Sequence, residues 1–256
     1  MKIFSILALF ILLTSCGTSQ VKTENDYKSV VEGLQIQTFN VSNKSENLIV
    51  LLHGDSCNAD YMKNLSKTIA NKTDALTVLM ARPGCSVNGR TSNGWHGENG
   101  NGKDNYTEEN IDMVEKAVSS LKKHYKVKRT YLIGHSGGAA TSGIIIGHNP
   151  DLVDGAVLVA FPSDIQSWRE HRRGHNSWTS SLSPQDFISS IKSTTRVYII
   201  SGEDDSITIP ALSEKYTSIA KEQEVNIEHI VVPNEDHRSI IRSQKVIDVV
   251  RKLVKD

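Results

Sequence analysis

The chain has 256 residues, 38% of them hydrophobic and 23% charged, with 29 basic and 29 acidic side chains. That length is sufficient to bury a core, and the balanced charge excludes the field that draws a protein to nucleic acid or to an acidic surface. Blocks of like charge, internal repeats and low-complexity tracts are absent.

Residues 1–15, MKIFSILALFILLTS, read as an export signal: Lys2, an apolar run from Ile3 to Leu13, then small residues. The run is too short to cross a bilayer, which takes about 20 residues in helix. The ending Leu13-Thr14-Ser15-Cys16 resembles a bacterial lipoprotein signal. The resemblance implies that the Cys16 thiol receives a diacylglyceryl group, becomes the first residue of the exported chain, and anchors it to a membrane of the cell envelope. Plain secretion after cleavage near Cys16 is the alternative. Residues 16–28 are polar and read as a tether, leaving 29–256 as one domain.

From there, apolar runs alternate with helical patterns. A short edge strand is expected over 34–41, followed by runs at 46–53, 76–82, 129–134, 153–161, 196–201 and 227–233. These are brief and rich in β-branched residues, the pattern of strands buried on both faces of a parallel sheet. Helices are expected over about 59–71, 107–125, 137–148, 184–191, 210–223 and 238–254. In the second, Ile111, Val114, Val118 and Leu121 recur at helical spacing behind the capping Thr107 and the acids Glu108 and Glu109. Ser183-Pro184-Gln185-Asp186 supplies an N-cap, a proline at the first helical position and an acid in the first turn. The alternation predicts an α/β fold with a mostly parallel sheet, whose chemistry belongs in loops at the carboxyl ends of the strands.

Gly134-His135-Ser136-Gly137-Gly138 fits G-x-S-x-G between a strand and a helix, the context a nucleophile elbow requires. The turn is tight enough to want nearly bare flanks, hence the glycines at 134 and 138. The first helical N–H groups, lacking partners within the helix, can face a developing oxyanion. A serine needs a base, and His237, in the loop after the last strand, is the best placed of nine histidines. His53 belongs to a different motif and His135 lies inside the elbow. His124, His148 and His229 fall in helices or strands, and His96, His171 and His175 in long loops. The base in turn needs a carboxylate. Gly202-Glu203-Asp204-Asp205 offers three acids, and spacing favours Asp205 over Asp204. Cys57 and Cys85 remain, as a disulfide or as two buried thiols.

Taken together, LLHGD (51–55), RPGCS (82–86), GHSGG (134–138), GEDD (202–205) and NEDH (234–237) resemble an α/β-hydrolase from about residue 34 to the C-terminus. The resemblance implies an α/β-hydrolase fold with helices on both faces of the sheet. It also implies a nucleophile Ser136, base His237 and acid Asp205, and an oxyanion hole from the backbone N–H groups of Gly137 and Asp55. An acid at 55 departs from the family's usual residue, so its carboxylate is expected to point away. The same resemblance places Cys57 and Cys85 after neighbouring strands and favours a disulfide between them. No cofactor or metal is implied: HExxH and the dinucleotide fingerprint are both missing.

Two loops remain for the substrate. The first, 85–106, is glycine- and asparagine-rich; the second, 162–183, sits where this family places a cap and carries Trp168, Trp178, Arg169, Arg172 and Arg173. The tryptophans form either an aromatic wall with cationic edges or pins for a solvated loop, and the insertion is too short for a large lid, so an open site is expected. The first reading is a serine hydrolase cleaving carboxylic esters of small molecules. A serine peptidase resembling prolyl oligopeptidase-like enzymes is the second, although the propeller such enzymes usually carry is not seen. A silent binding module on the same fold is the third.

Overall fold

The computed structural model describes residues 29–41, 45–97 and 104–255. The leader, Cys16 and the tether lie outside them, as do residues 98–103 of the glycine- and asparagine-rich loop.

Chain order begins with β1 (Val30–Val31), β2 (Leu34–Phe39), β3 (Asn47–Leu52), α1 (Lys63–Thr73) and β4 (Leu76–Met80). A small hairpin, β5 (Ser86–Val87) and β6 (Arg90–Thr91), precedes α2 (Glu108–Tyr125), β7 (Arg129–His135), α3 (Gly137–His148) and β8 (Gly155–Val159). The last third holds α4 (Ile165–Arg173), β9 (Arg196–Gly202), α5 (Pro210–Glu222), β10 (Asn226–Val232) and α6 (Gln244–Lys255). One eight-stranded sheet runs β1-β2-β4-β3-β7-β8-β9-β10. From β4 to β10 neighbouring strands are parallel, while β1 and β2 are antiparallel additions at one edge. This is the α/β-hydrolase fold.

The two-residue period of a strand sorts the core into two layers. Leu48, Val50 and Leu52 of β3 pack in one layer with α2, α3 and α5, whereas Ile49 and Leu51 pack in the other with α1 and α6. Each fully buried side chain of this kind contributes about 1.5–3 kcal/mol. Thr107 caps α2 by accepting from the Asn110 N–H at 3.4 Å. Every residue of α3 from Gly137 to Gly147 is buried, so the helix behind the elbow is enclosed on all sides.

Several expected elements differ in detail. Residues 59–62 and 240–242 form 3₁₀ turns ahead of α1 and α6, and 184–190 is a 3₁₀ helix rather than an α-helix. Ser183 stands at the N-cap position there, but its hydroxyl accepts from the Ile165 N–H at the start of α4, at 2.8 Å, and makes no cap bond to its own helix. The segment 162–183, expected to be a loop, contains α4, capped by Asp164 accepting from the Ser167 N–H at 3.0 Å.

Candidate active site

Ser136 joins β7 to α3 with its backbone at φ 53° and ψ −119°, a region costing a non-glycine residue on the order of 1–3 kcal/mol. The surroundings hold it there. Its N–H donates to the Val159 carbonyl at 2.9 Å, and its carbonyl accepts from Ala139 and Ala140 at 2.8 and 3.0 Å. A Cβ on Gly134 would strike the Gly138 carbonyl and the Ala139 backbone. The glycine therefore serves a close approach of strand to helix.

His237 lies in the loop after β10. Its Nε2 is 3.0 Å from Ser136 Oγ, and its Nδ1 is 2.9 Å from Asp205 Oδ2. The acceptor-only carboxylate places the imidazole proton on Nδ1, leaving Nε2 to accept from the serine hydroxyl. Asp205, 2% exposed after β9, is fixed on both oxygens. Oδ1 accepts the Ile207 and Thr208 N–H groups at 2.8 Å each, and Oδ2 accepts the Thr208 hydroxyl at 2.7 Å. Burial opposes its charge, but the hydrogen bond and charge of His237, with the Thr208 bonds, hold the carboxyl below the ordinary range. Asp204 is exposed and takes no part in this chain of hydrogen bonds.

At the head of α3, the Gly137 and Asp55 amides find no acceptor within hydrogen-bond reach among the described residues. The Asp55 carboxylate does not point away, contrary to the expectation. It packs over Gly137, where a Cβ would strike Asp55 Oδ1 and lie 2.8 Å from the Tyr106 hydroxyl. Arg82, 3% exposed at its side chain, pairs with Oδ1, and the Tyr106 hydroxyl donates to Oδ2 at 2.8 Å. Burial disfavours the charge on Asp55, yet the Arg82 guanidinium holds the carboxyl below its usual range, and Asp55 in turn keeps Arg82 charged against burial. A neutralised carboxylate is thus compatible with this position, and Gly137 is bare because Asp55 fills the space of its side chain.

Cys57 and Cys85 are joined by a disulfide with Cα atoms 4.6 Å apart, tying the loop after β3 to the loop after β4. His96 Nε2 donates to the Asp55 carbonyl at 3.2 Å, and burial first, then Arg82, lowers its pKa to about 4. Behind this loop Arg82, His96, Asn105, Asn110 and Thr141 line a small recess of about 10 Å³. Arg82 Nε and Asn105 Nδ2 have no partner there among the described residues, which suits a bound water.

Trp168 and Trp178 are pins rather than an open wall: they are 8% and 9% exposed, with ring centroids 6.0 Å apart. Trp168 Nε1 donates to the Ile207 carbonyl at 3.0 Å, fastening α4 to the loop of Asp205. Trp178 meets Tyr106 edge-on at 5.7 Å and carries the Arg169 guanidinium 4.0 Å above its ring. Arg172 and Arg173 face solvent. At the site Ser136 is 7% and the His237 side chain 13% exposed. Three acid or histidine groups with metal-ligand spacing, Asp112, Glu115 and His148, lie on α2 and α3. Glu115 there accepts from His148 Nδ1 at 2.8 Å and Asn149 Nδ2 at 3.1 Å, which links the two helices. Sequence reasoning passed over Thr208, Arg82, Tyr106 and Tyr61. Only Arg82 carried a local signal, as a cation ending the apolar run 76–82.

The sheet, the elbow and the late histidine define a serine hydrolase of the α/β-hydrolase type. The prolyl oligopeptidase family profile matches residues 85–255, more than half of the chain, and the protein belongs to that family. No curated protein sequence matches it. Among solved structures, Est1E from Butyrivibrio proteoclasticus with ferulic acid bound superposes with a TM-score of 0.66 at 14% identity, covering 88% of this chain and 96% of that one. The Pyrococcus furiosus esterase Pf2001 gives 0.65 at 16% identity over 87% and 86% of the two chains. An esterase from Pyrobaculum calidifontis gives 0.62 at 12% identity over 88% and 83%. At such identities the likeness shows the fold.

Proposed function

We propose that this protein cleaves carboxylic esters by acyl transfer. The observation that carries the reading is the continuous relay from Ser136 Oγ through His237 to Asp205, at 3.0 and 2.9 Å, on a serine whose backbone is held at φ 53°. Ser136 Oγ attacks the ester carbonyl as its proton passes to His237 Nε2, and Asp205 stabilises the imidazolium. The Gly137 and Asp55 N–H groups receive the oxyanion. Collapse of the tetrahedral intermediate expels the alcohol, which takes the proton from His237, and water repeats the sequence on the acyl-enzyme. The fold shared with named esterases supports the ester; the family membership supports a second reading, hydrolysis of peptide amides by the same groups. The sequence of the first sixteen residues supports a lipid anchor on Cys16 in a bacterial cell envelope.

A fluorophosphonate should label the wild type and not Ser136→Ala. Turnover of short p-nitrophenyl esters should exceed that of aminoacyl and prolyl amides; amide cleavage without ester cleavage would move the assignment to the peptidase. Asp205→Asn should lower kcat by about 10⁴-fold through loss of the correct tautomer, with Asp204→Asn near wild type; the reverse ranking would transfer the role to Asp204.

A further inference from the structure

His135, inside the elbow, does more than lead into the serine. Its Nδ1 is 2.7 Å from the Tyr61 hydroxyl, and its Nε2 is 2.9 Å from the backbone carbonyl of His237. The Tyr61 oxygen also accepts the Gly54 N–H at 2.7 Å. Proton counting leaves one arrangement. The Gly54 amide can only donate, so Tyr61 receives there and spends its single proton on His135 Nδ1; the His237 carbonyl can only accept, so His135 Nε2 carries the hydrogen. The chain is therefore Gly54 N–H to Tyr61 O–H to His135 to the His237 carbonyl, with every donor and acceptor used.

Each end of this chain abuts a group of the candidate site. Gly54 precedes Asp55, His135 precedes Ser136, and the last acceptor belongs to His237 itself. Asp205 grips the ring of His237, while the chain through His135 grips its backbone. Burial is the first cause that lowers the His135 pKa to about 4, with the nearby His237 adding to it. Burial likewise raises that of the Tyr61 hydroxyl. Both side chains thus stay neutral and take no share of the transferred proton.

We propose that Tyr61 and His135 are positioning residues, a neutral hydrogen-bond strut that sets the distance from the His237 imidazole to Ser136 and holds the Asp55 amide in the same frame. The proposal rests on the nucleophile and base assignments above. It does not depend on the substrate, because a fluorophosphonate reports the reactivity of Ser136 directly.

The test measures the second-order rate of fluorophosphonate labelling, and kcat and KM on p-nitrophenyl acetate, for wild type, Ser136→Ala, Tyr61→Phe, His135→Leu and His135→Gln. A misplacement of the base by about 1 Å can cost on the order of 10²-fold in rate, so a shift of about half that costs on the order of tenfold. Tyr61→Phe and His135→Leu should therefore label at least about tenfold more slowly, with kcat reduced to match and KM within about twofold of wild type. His135→Gln, whose amide can donate to the His237 carbonyl from near the Nε2 position, should recover most of the rate. Thermal melting checks that each variant is folded at the assay temperature. Labelling of Tyr61→Phe and His135→Leu within twofold of wild type, or a His135→Gln variant as slow as His135→Leu, overturns the strut while leaving the nucleophile standing. Equal labelling of wild type and Ser136→Ala overturns the nucleophile, and the strut with it.

Discussion

The buried ion pair between Asp55, in the loop after β3, and Arg82 separates two effects that substitutions usually mix. Arg82→Met leaves the Asp55 carboxylate, packed on Gly137, without its cation; Asp55→Asn leaves Arg82 without its anion. Both break a pair whose Arg82 side chain is 3% and Asp55 side chain 23% exposed. Loss of one partner of a buried pair costs about 3–5 kcal/mol, and the partial exposure of Asp55 brings the expectation down to about 2–3 kcal/mol for either variant. Their chemistry should differ. Taking roughly 5 Å between an oxyanion on the Gly137 amide and the freed carboxylate, the repulsion at an effective dielectric of ~20 is about 3 kcal/mol. That corresponds to about a hundredfold in kcat. The cation left by Asp55→Asn attracts the same oxyanion, so its kcat should stay within about tenfold of wild type. Melting temperatures and kcat on p-nitrophenyl acetate, measured below both transitions, decide the matter. Similar melting temperatures with equal loss of kcat in the two variants would refute the electrostatic reasoning.

The Cys57–Cys85 bridge spans a sequence separation of 28; its removal in Cys57→Ser/Cys85→Ser should cost about 3.5 kcal/mol by loop entropy, read as a lower midpoint in urea. His53, His96 and His135 are held neutral, chiefly by burial, with pKa values lowered from 6.5 to about 3, 4 and 4. The unfolded chain binds protons at these sites first, so stability is full above pH 6.5 and is lost as the pH falls towards 4. The His135 share is about 3 kcal/mol; against the charges of His237, Asp205 and Asp55 around it, His135→Gln should flatten the fall in melting temperature across that window. For the anchor, expression in a bacterial host with labelled palmitate should mark the wild type and not Cys16→Ser, which should leave the membrane fraction; an unlabelled wild type would favour plain secretion.

The central strands were legible because each is a short apolar run buried on both faces, and the elbow because Gly134 must admit the Ala139 backbone. The segment Ile165–Arg173 was not, since only Ile165 and Trp168 are buried in an otherwise polar helix, too few anchors to show a period. Gly137 was visible as a glycine, but its reason was not: the space belongs to Asp55, whose partner Arg82 is 27 residues away. Tyr61 and His135 act through contacts spanning 7 to 102 residues, and no local pattern announces those. The favoured disulfide and the choice among the three acids came from resemblance and spacing, which name residues without showing what neutralises or orients them.

The enclosure of α3 bears on how the protein loses its reactivity. Amides of a surface helix exchange with deuterium through local fraying, but a helix buried from Gly137 to Gly147 has no solvent-facing side from which to open. Its slowest amides should exchange only through global unfolding. Ser136, rooted at the head of that helix, then shares the stability of the whole sheet, and heat should extinguish labelling and fold in a single cooperative step.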